Sequence, residues 1–143
     1  MIRECTVSDM EMVRKYLEGE PYGRAVLAAI EKYGFDERFQ TVYVDVEGEV
    51  CRGVYLWLYR NLLLYSEENK VEVDFLEQMF GIMAPDRVAG RKDNVNIASW
   101  LLTDYNMEET QHMPALFDEK NEAVDCFAGL SDSEGSWSVL SRN

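Results

Sequence analysis

Apolar positions along the chain recur in short runs whose period changes from segment to segment. Residues 2–6 read as a short strand. Ser8-Asp9-Met10-Glu11 then has the form of a capping box, in which the serine hydroxyl takes a free helix amide and Glu11 reaches back. Met10, Val13 and Leu17 follow at helical spacing, and Gly19-Glu20-Pro21 stops that helix. A second helix is predicted over 22–33, with Val26, Leu27 and Ile30 on one face. Gly34 is placed to cap it in the left-handed conformation.

The period then falls to two. Residues 40–46 alternate, with Val42, Val44 and Val46 on one face, and Glu47-Gly48 signals a turn. Residues 49–59 form a β-branched and aromatic strand, Arg60-Asn61 turns the chain, and 62–66 return, so 40–66 is a three-stranded antiparallel meander. A third helix starts near Asp74, with Glu77 completing another capping box. Phe75, Leu76, Met79, Phe80 and Met83 form its buried stripe, and Pro85 lies just beyond its end. Residues 87–89 read as a strand before Gly90. Residues 93–104 read as a helix with Ile97, Ala98, Leu101 and Leu102 inward. Residues 107–117 read as a last strand, which Pro114 confines to an edge or a bulge. After Asp118 the composition turns to Ser, Asp, Glu and Gly, and 118–143 read as a linker or poorly ordered tail. The order β-α-α-β-β-β-α-β-α-β implies an α/β domain with a mixed central sheet and helices on both faces.

Composition narrows the function. The 143 residues carry 14 Lys and Arg against 27 Asp and Glu, a formal charge of −13. Such a surface repels nucleic acid and anionic membrane, whose affinity rests on basic side chains. The acidity serves solubility, or attracts a cationic amine substrate. Cys5, Cys51 and Cys126 are odd in number and widely spaced, which excludes a disulfide framework and a CxxC pair. No signal peptide opens the chain and no apolar run approaches the roughly 18 residues of a membrane span, so the cytoplasm is expected by elimination. His112 is the single histidine, without a Cys or second His beside it, and reads as structural rather than as a metal ligand or triad member.

Over residues 1–117 the order of elements resembles the GNAT acyltransferase fold. Thr6-Val7-Ser8-Asp9-Met10-Glu11 is similar to the start of that family. Ala98-Ser99-Trp100-Leu101-Leu102-Thr103-Asp104-Tyr105-Asn106-Met107 is similar to its A-x-x-L-Y-x-x-x-G-F stretch, Ala98 and Leu101 matching and Asn106 replacing a left-handed glycine. Ser131-Asp132-Ser133-Glu134 echoes Ser8-Asp9-Met10-Glu11, with Leu130 in the place of Val7 and Val139-Leu140 in that of Tyr16-Leu17. The tail is therefore expected to begin a second copy, a tandem repeat in which this chain is the degenerate N-terminal half. A second GNAT domain of the same protein, or a homodimer, is the implied partner.

The resemblance implies acetyl transfer from acetyl-CoA to an amine. That chemistry needs free backbone amides for the pyrophosphate, a donor for the thioester carbonyl, and a proton donor for the leaving thiolate. The family's Q/R-x-x-G-x-G/A loop falls on Tyr65-Ser66-Glu67-Glu68-Asn69-Lys70-Val71-Glu72-Val73-Asp74, which has no glycine and sets four carboxylates against one lysine. Side chains there obstruct the approach of phosphate to the backbone, and their charge opposes it. Leu102 stands where the family's proton-donating Tyr would be, and Tyr105 points to another face. No cofactor-binding residue is expected in this segment, and the catalytic residues are unassigned. Tyr55, Trp57 and Tyr59 share one strand face by period two; they are candidates for a substrate cleft, or sheet packing beneath helices. Two functions stay open: the half of a GNAT acetyltransferase that shapes the acceptor cleft, or a non-catalytic binding or dimerisation module.

Overall fold

The computed structural model describes residues 1–127, 130 and 136–142. Strand β1 (Ile2–Glu4) leads through a 3₁₀ turn (Val7–Asp9) into α1 (Met10–Leu17) and α2 (Pro21–Tyr33). The meander β2 (Gln40–Glu47), β3 (Val50–Leu58) and β4 (Asn61–Tyr65) follows. Then come α3 (Val73–Ile82), β5 (Arg87–Arg91), α4 (Lys92–Ser99), β6 (Asn106–Thr110) and β7 (Trp137–Ser141). The strands form one sheet in the order β1-β2-β3-β4-β5-β7-β6. Only β4 and β5 run parallel among the described strands. This is the mixed α/β sheet with helices on both faces that the GNAT resemblance implied.

Alternation along the strands divides the core in two. On one face Val42, Val44, Val54, Leu56, Leu58 and Leu63 meet Val13, Leu17, Val26 and Ile30 from α1 and α2. On the other, Tyr55, Trp57, Leu62, Leu64 and Val88 meet Leu76, Val95 and Ala98 from α3 and α4. The corner between α1 and α2 is tight. A methyl group at Gly23 would lie 2.2 Å from the Leu17 carbonyl oxygen, so only glycine lets α2 start there.

Several local expectations shift. The first helix is capped two residues early. Asp9 accepts the Thr6 amide at 2.8 Å, and the Arg3 guanidinium holds both Asp9 oxygens at 2.8 Å, fixing that carboxylate in place. Gly34 does end α2 with a positive φ of 71°, but its ψ of −149° is extended rather than left-handed, a region open essentially to glycine alone. The second turn of the meander falls on Tyr59-Arg60, with Tyr59 at φ 57°. Asn61 is drawn into the strand because its buried amide donates to the carbonyls of Leu58 and Phe117. Helix α4 stops at Ser99, and β6 ends at Thr110, so Pro114 lies outside any strand.

The largest correction concerns residues 118–143, which are not simply a tail. Trp137–Ser141 is β7, inserted between β5 and β6 and antiparallel to both. Trp137 is fully buried against Tyr22, with ring centroids 4.9 Å apart. Val139 and Leu140, which the repeat reading puts on a helix, are strand residues facing opposite cores. The echoing Ser131-Asp132-Ser133-Glu134 lies outside the described residues.

Candidate functional site

In open α/β sheets, ligands favour the carboxyl ends of parallel strands where they part. Here that place is the end of β4 and β5. Their pairing runs from Asn61↔Arg87 to Leu64↔Gly90. At Gly90 the backbones are so close that a Cβ would lie 2.8 Å from the Leu64 carbonyl oxygen. Beyond it, β4 leads through residues 66–72 into α3, and β5 leads directly into α4. The segment from Tyr65 to Asp74 is thus a strand-to-helix junction, as the sequence suggests.

Side chains of this chain fill the space where the strands part. The Arg91 guanidinium donates to the carbonyls of Ser66 (2.9 Å) and Glu67 (2.8 Å), and to the carboxylates of Glu20 (2.8 Å) and Asp93 (2.7 and 2.9 Å). Asp93 above all, with Glu20, raises the already high pKa of that guanidinium. Asn94 is fully buried. It accepts the Ser66 amide at 2.9 Å, and donates to the Ser66 carbonyl at 3.1 Å and to Asn69 Oδ1 at 2.9 Å. Arg91 and Asn94 therefore satisfy the backbone groups that diverging strands otherwise leave open.

Four of the junction's amides are engaged as well. Glu67 N donates to the Tyr16 hydroxyl, Asn69 N to the Ser66 carbonyl, Lys70 N to Ser66 Oγ, and Glu72 N to the Tyr55 hydroxyl. Acetyl-CoA is the cofactor that the resemblance implies. At these four amides its pyrophosphate would have to break a bond, and it would meet Glu67, Glu68 and Glu72 without a glycine to let it approach.

Beside the filled splay lies a cleft of about 470 Å³ between α1 and the ends of β3 and β4. Tyr16 spans it, donating to the Arg52 carbonyl at 3.0 Å while accepting from Glu67. Tyr65 donates to Glu20; burial and that carboxylate raise its hydroxyl above the ordinary tyrosine range. Burial pushes the Cys51 thiol up to about 11, so it is protonated at neutral pH. Arg52 is held by Glu47, by Glu72 at 3.0 Å and by Asp45 at 3.7 Å. Each polar group that faces the cleft from these positions is thus tied to another group of the protein.

The aromatic candidates separate. Tyr55 and Trp57 are 1% and 4% exposed and pack under α3, Tyr55 against Phe75 and Trp57 against Phe80. Both face a helix rather than the cleft beside α1. Tyr59 lies past the end of β3, and its reversed φ carries it to a groove at the other end of the sheet. Leu102 is buried, and Tyr105 donates to the Pro85 carbonyl at 2.6 Å, away from the splay. His112 is exposed, in the stretch after β6. Among the described residues no group of His, Cys, Asp and Glu has the arrangement of a metal site, and no helix is long and apolar enough to cross a membrane. Sequence reasoning missed Glu20, Arg91 and Asn94. The polar run Arg91-Lys92-Asp93-Asn94 directly after an apolar strand was the available signal.

No family model matches the chain, and no curated protein sequence matches it. Among solved structures, a spermidine N-acetyltransferase, SpeG, from Vibrio cholerae is similar with a TM-score of 0.48 at 9% identity, covering 98% of this chain and 92% of that chain.

Proposed function

We propose that this chain is a non-catalytic binding module on an acyltransferase-like scaffold, and does not itself transfer acetyl groups. The observation that carries this reading is the closure of the β4–β5 splay by Arg91 and Asn94. An extended ligand laid between the parted strands needs the carbonyl and amide of Ser66, and both are bonded to buried or half-buried side chains of the same chain. Displacing them leaves buried polar groups unpaired, which costs about 1–3 kcal/mol for each group.

The proton inventory supports the same conclusion. Acyl transfer to an amine needs a group that gives a proton to the departing thiolate. Tyr65 and Tyr16 face the cleft, but both hydroxyls are held up by burial and both donate to an acceptor within the protein.

Titration calorimetry of the chain with acetyl-CoA tests this. No heat beyond dilution is expected, and free thiol should not accumulate with any amine acceptor. A dissociation constant in the micromolar range would overturn the reading.

A further inference from the structure

A larger cavity lies away from the splay. It is a groove of about 960 Å³ at the opposite end of the sheet, beside the amino ends of β4 and β5. Its volume is that of small-molecule sites. Phe39 and Tyr59 line it. Their rings are stacked, 4.8 Å apart and 12° from parallel, and Tyr33 packs against Phe39 at 5.0 Å with its ring nearly perpendicular. Both rings are half-buried, so aromatic surface remains open to a ligand.

The charge around these rings is mostly negative. Glu37, Asp118 and Glu119 line the same groove. After burial itself, Asp118, Glu119 and Glu37 are among the causes that raise the Tyr59 hydroxyl above its ordinary range, so all three fields converge on this ring. Asp118 is fixed by accepting the amides of Lys120 and Glu122 at 2.9 Å. Of the cations in the lining, Arg60 is paired with Asp86, also in the lining, at 3.3 Å and donates to the Ala84 carbonyl at 3.2 Å. Arg38 brings an opposing charge.

The geometry points to this groove as a binding site for a small organic cation, an alkylated ammonium ion seated against Phe39 and Tyr59 within reach of Glu37, Asp118 and Glu119. An aromatic face attracts such an ion through its quadrupole, and nearby carboxylates add to the attraction. An inorganic cation gains less, because it keeps its water. The chain's charge of −13 raises the local concentration of any cation.

Choline, and its uncharged isostere 3,3-dimethylbutan-1-ol, serve as probes, followed by amide NMR of residues 37–39 and 117–121. Saturable shifts with choline alone are expected. Tyr59→Asn, which keeps the left-handed backbone, weakens binding about five- to thirty-fold; Tyr59→Phe, which keeps the ring, leaves it within about twofold. Arg38→Gln tightens binding by removing the opposing charge. Equal binding of the isostere, unchanged affinity in Tyr59→Asn, or no saturable shift at millimolar choline overturns the proposal.

Discussion

Replacing Asn94 by alanine tests the closed splay directly. Asn94 is fully buried, as is Ser66 at 1% exposure. The substitution removes the bonds to Ser66 N, Ser66 O and Asn69 Oδ1. The Ser66 carbonyl keeps Arg91 and the Asn69 amide as donors, so its loss is about 1 kcal/mol. The Ser66 amide keeps no acceptor. A buried donor left unpaired costs about 1–3 kcal/mol, which brings the sum to about 2–4 kcal/mol. For a domain of this size that corresponds to a fall in Tm of about 6–16 °C. Scanning calorimetry and urea unfolding read the change. Hydrogen exchange at Ser66 reads its location, since that amide should be protected in the parent protein and fast in the variant. A Tm within about 2 °C of the parent, with Ser66 still protected, would refute the argument that Asn94 closes the strands.

Other outcomes follow from the same structure. Trp137→Ala should destabilise by about 3–5 kcal/mol in urea unfolding, because a fully buried indole against Tyr22 is removed; a loose tail would show no change. Gly23→Ala should cost about 1–3 kcal/mol despite the better helix propensity of alanine, since the methyl meets the Leu17 carbonyl and the backbone must move. Arg3 and the Thr6 amide hold the Asp9 carboxyl well below the ordinary carboxylate range. Its contribution is therefore complete above the unfolded value near pH 4 and is lost as pH falls, because the unfolded chain takes up the proton first. Asp9→Asn should lose about 1–2 kcal/mol at pH 7 and flatten the acid limb of stability against pH. Burial raises the thiols of Cys51 and Cys126 to about 11 and that of Cys5 to about 12, so at pH 8 each should react with iodoacetamide about a hundredfold or more slowly than a free thiol.

Much of the architecture was legible in local periodicity. The meander, the two amphipathic helices before it and the helix-strand-helix after it each bury one face, and burial of one face leaves its period in the residues. Trp137–Ser141 also alternates, but it follows a stretch rich in Ser, Asp and Glu whose composition hides five strand residues. The placement of β7 between β5 and β6 follows from no neighbouring residue. It is decided by which sheet edge can accept Trp137 beside Tyr22 and Leu140 beside Val88. The limits of α4 moved for a similar reason, since Leu102 is buried just past the helix, so an inward residue there did not require helical backbone.

By itself the sequence determined the alternating faces, the acidic charge, and a junction of carboxylates without glycine where a phosphate would need bare amides. These are properties of residue type and spacing, and they survive any rearrangement at longer range. The tertiary structure decided which polar groups meet. Glu20 lies 71 residues from Arg91, and Ser66 lies 28 from Asn94. Their pairing exists only once β4 and β5 run side by side. The same holds for Tyr59, whose ring reaches Phe39 because the hairpin turn reverses its φ, while Tyr55 and Trp57 stay under α3. Hydrogen bonds and ring contacts act over a few ångströms, so they are set by distances that only the folded chain defines.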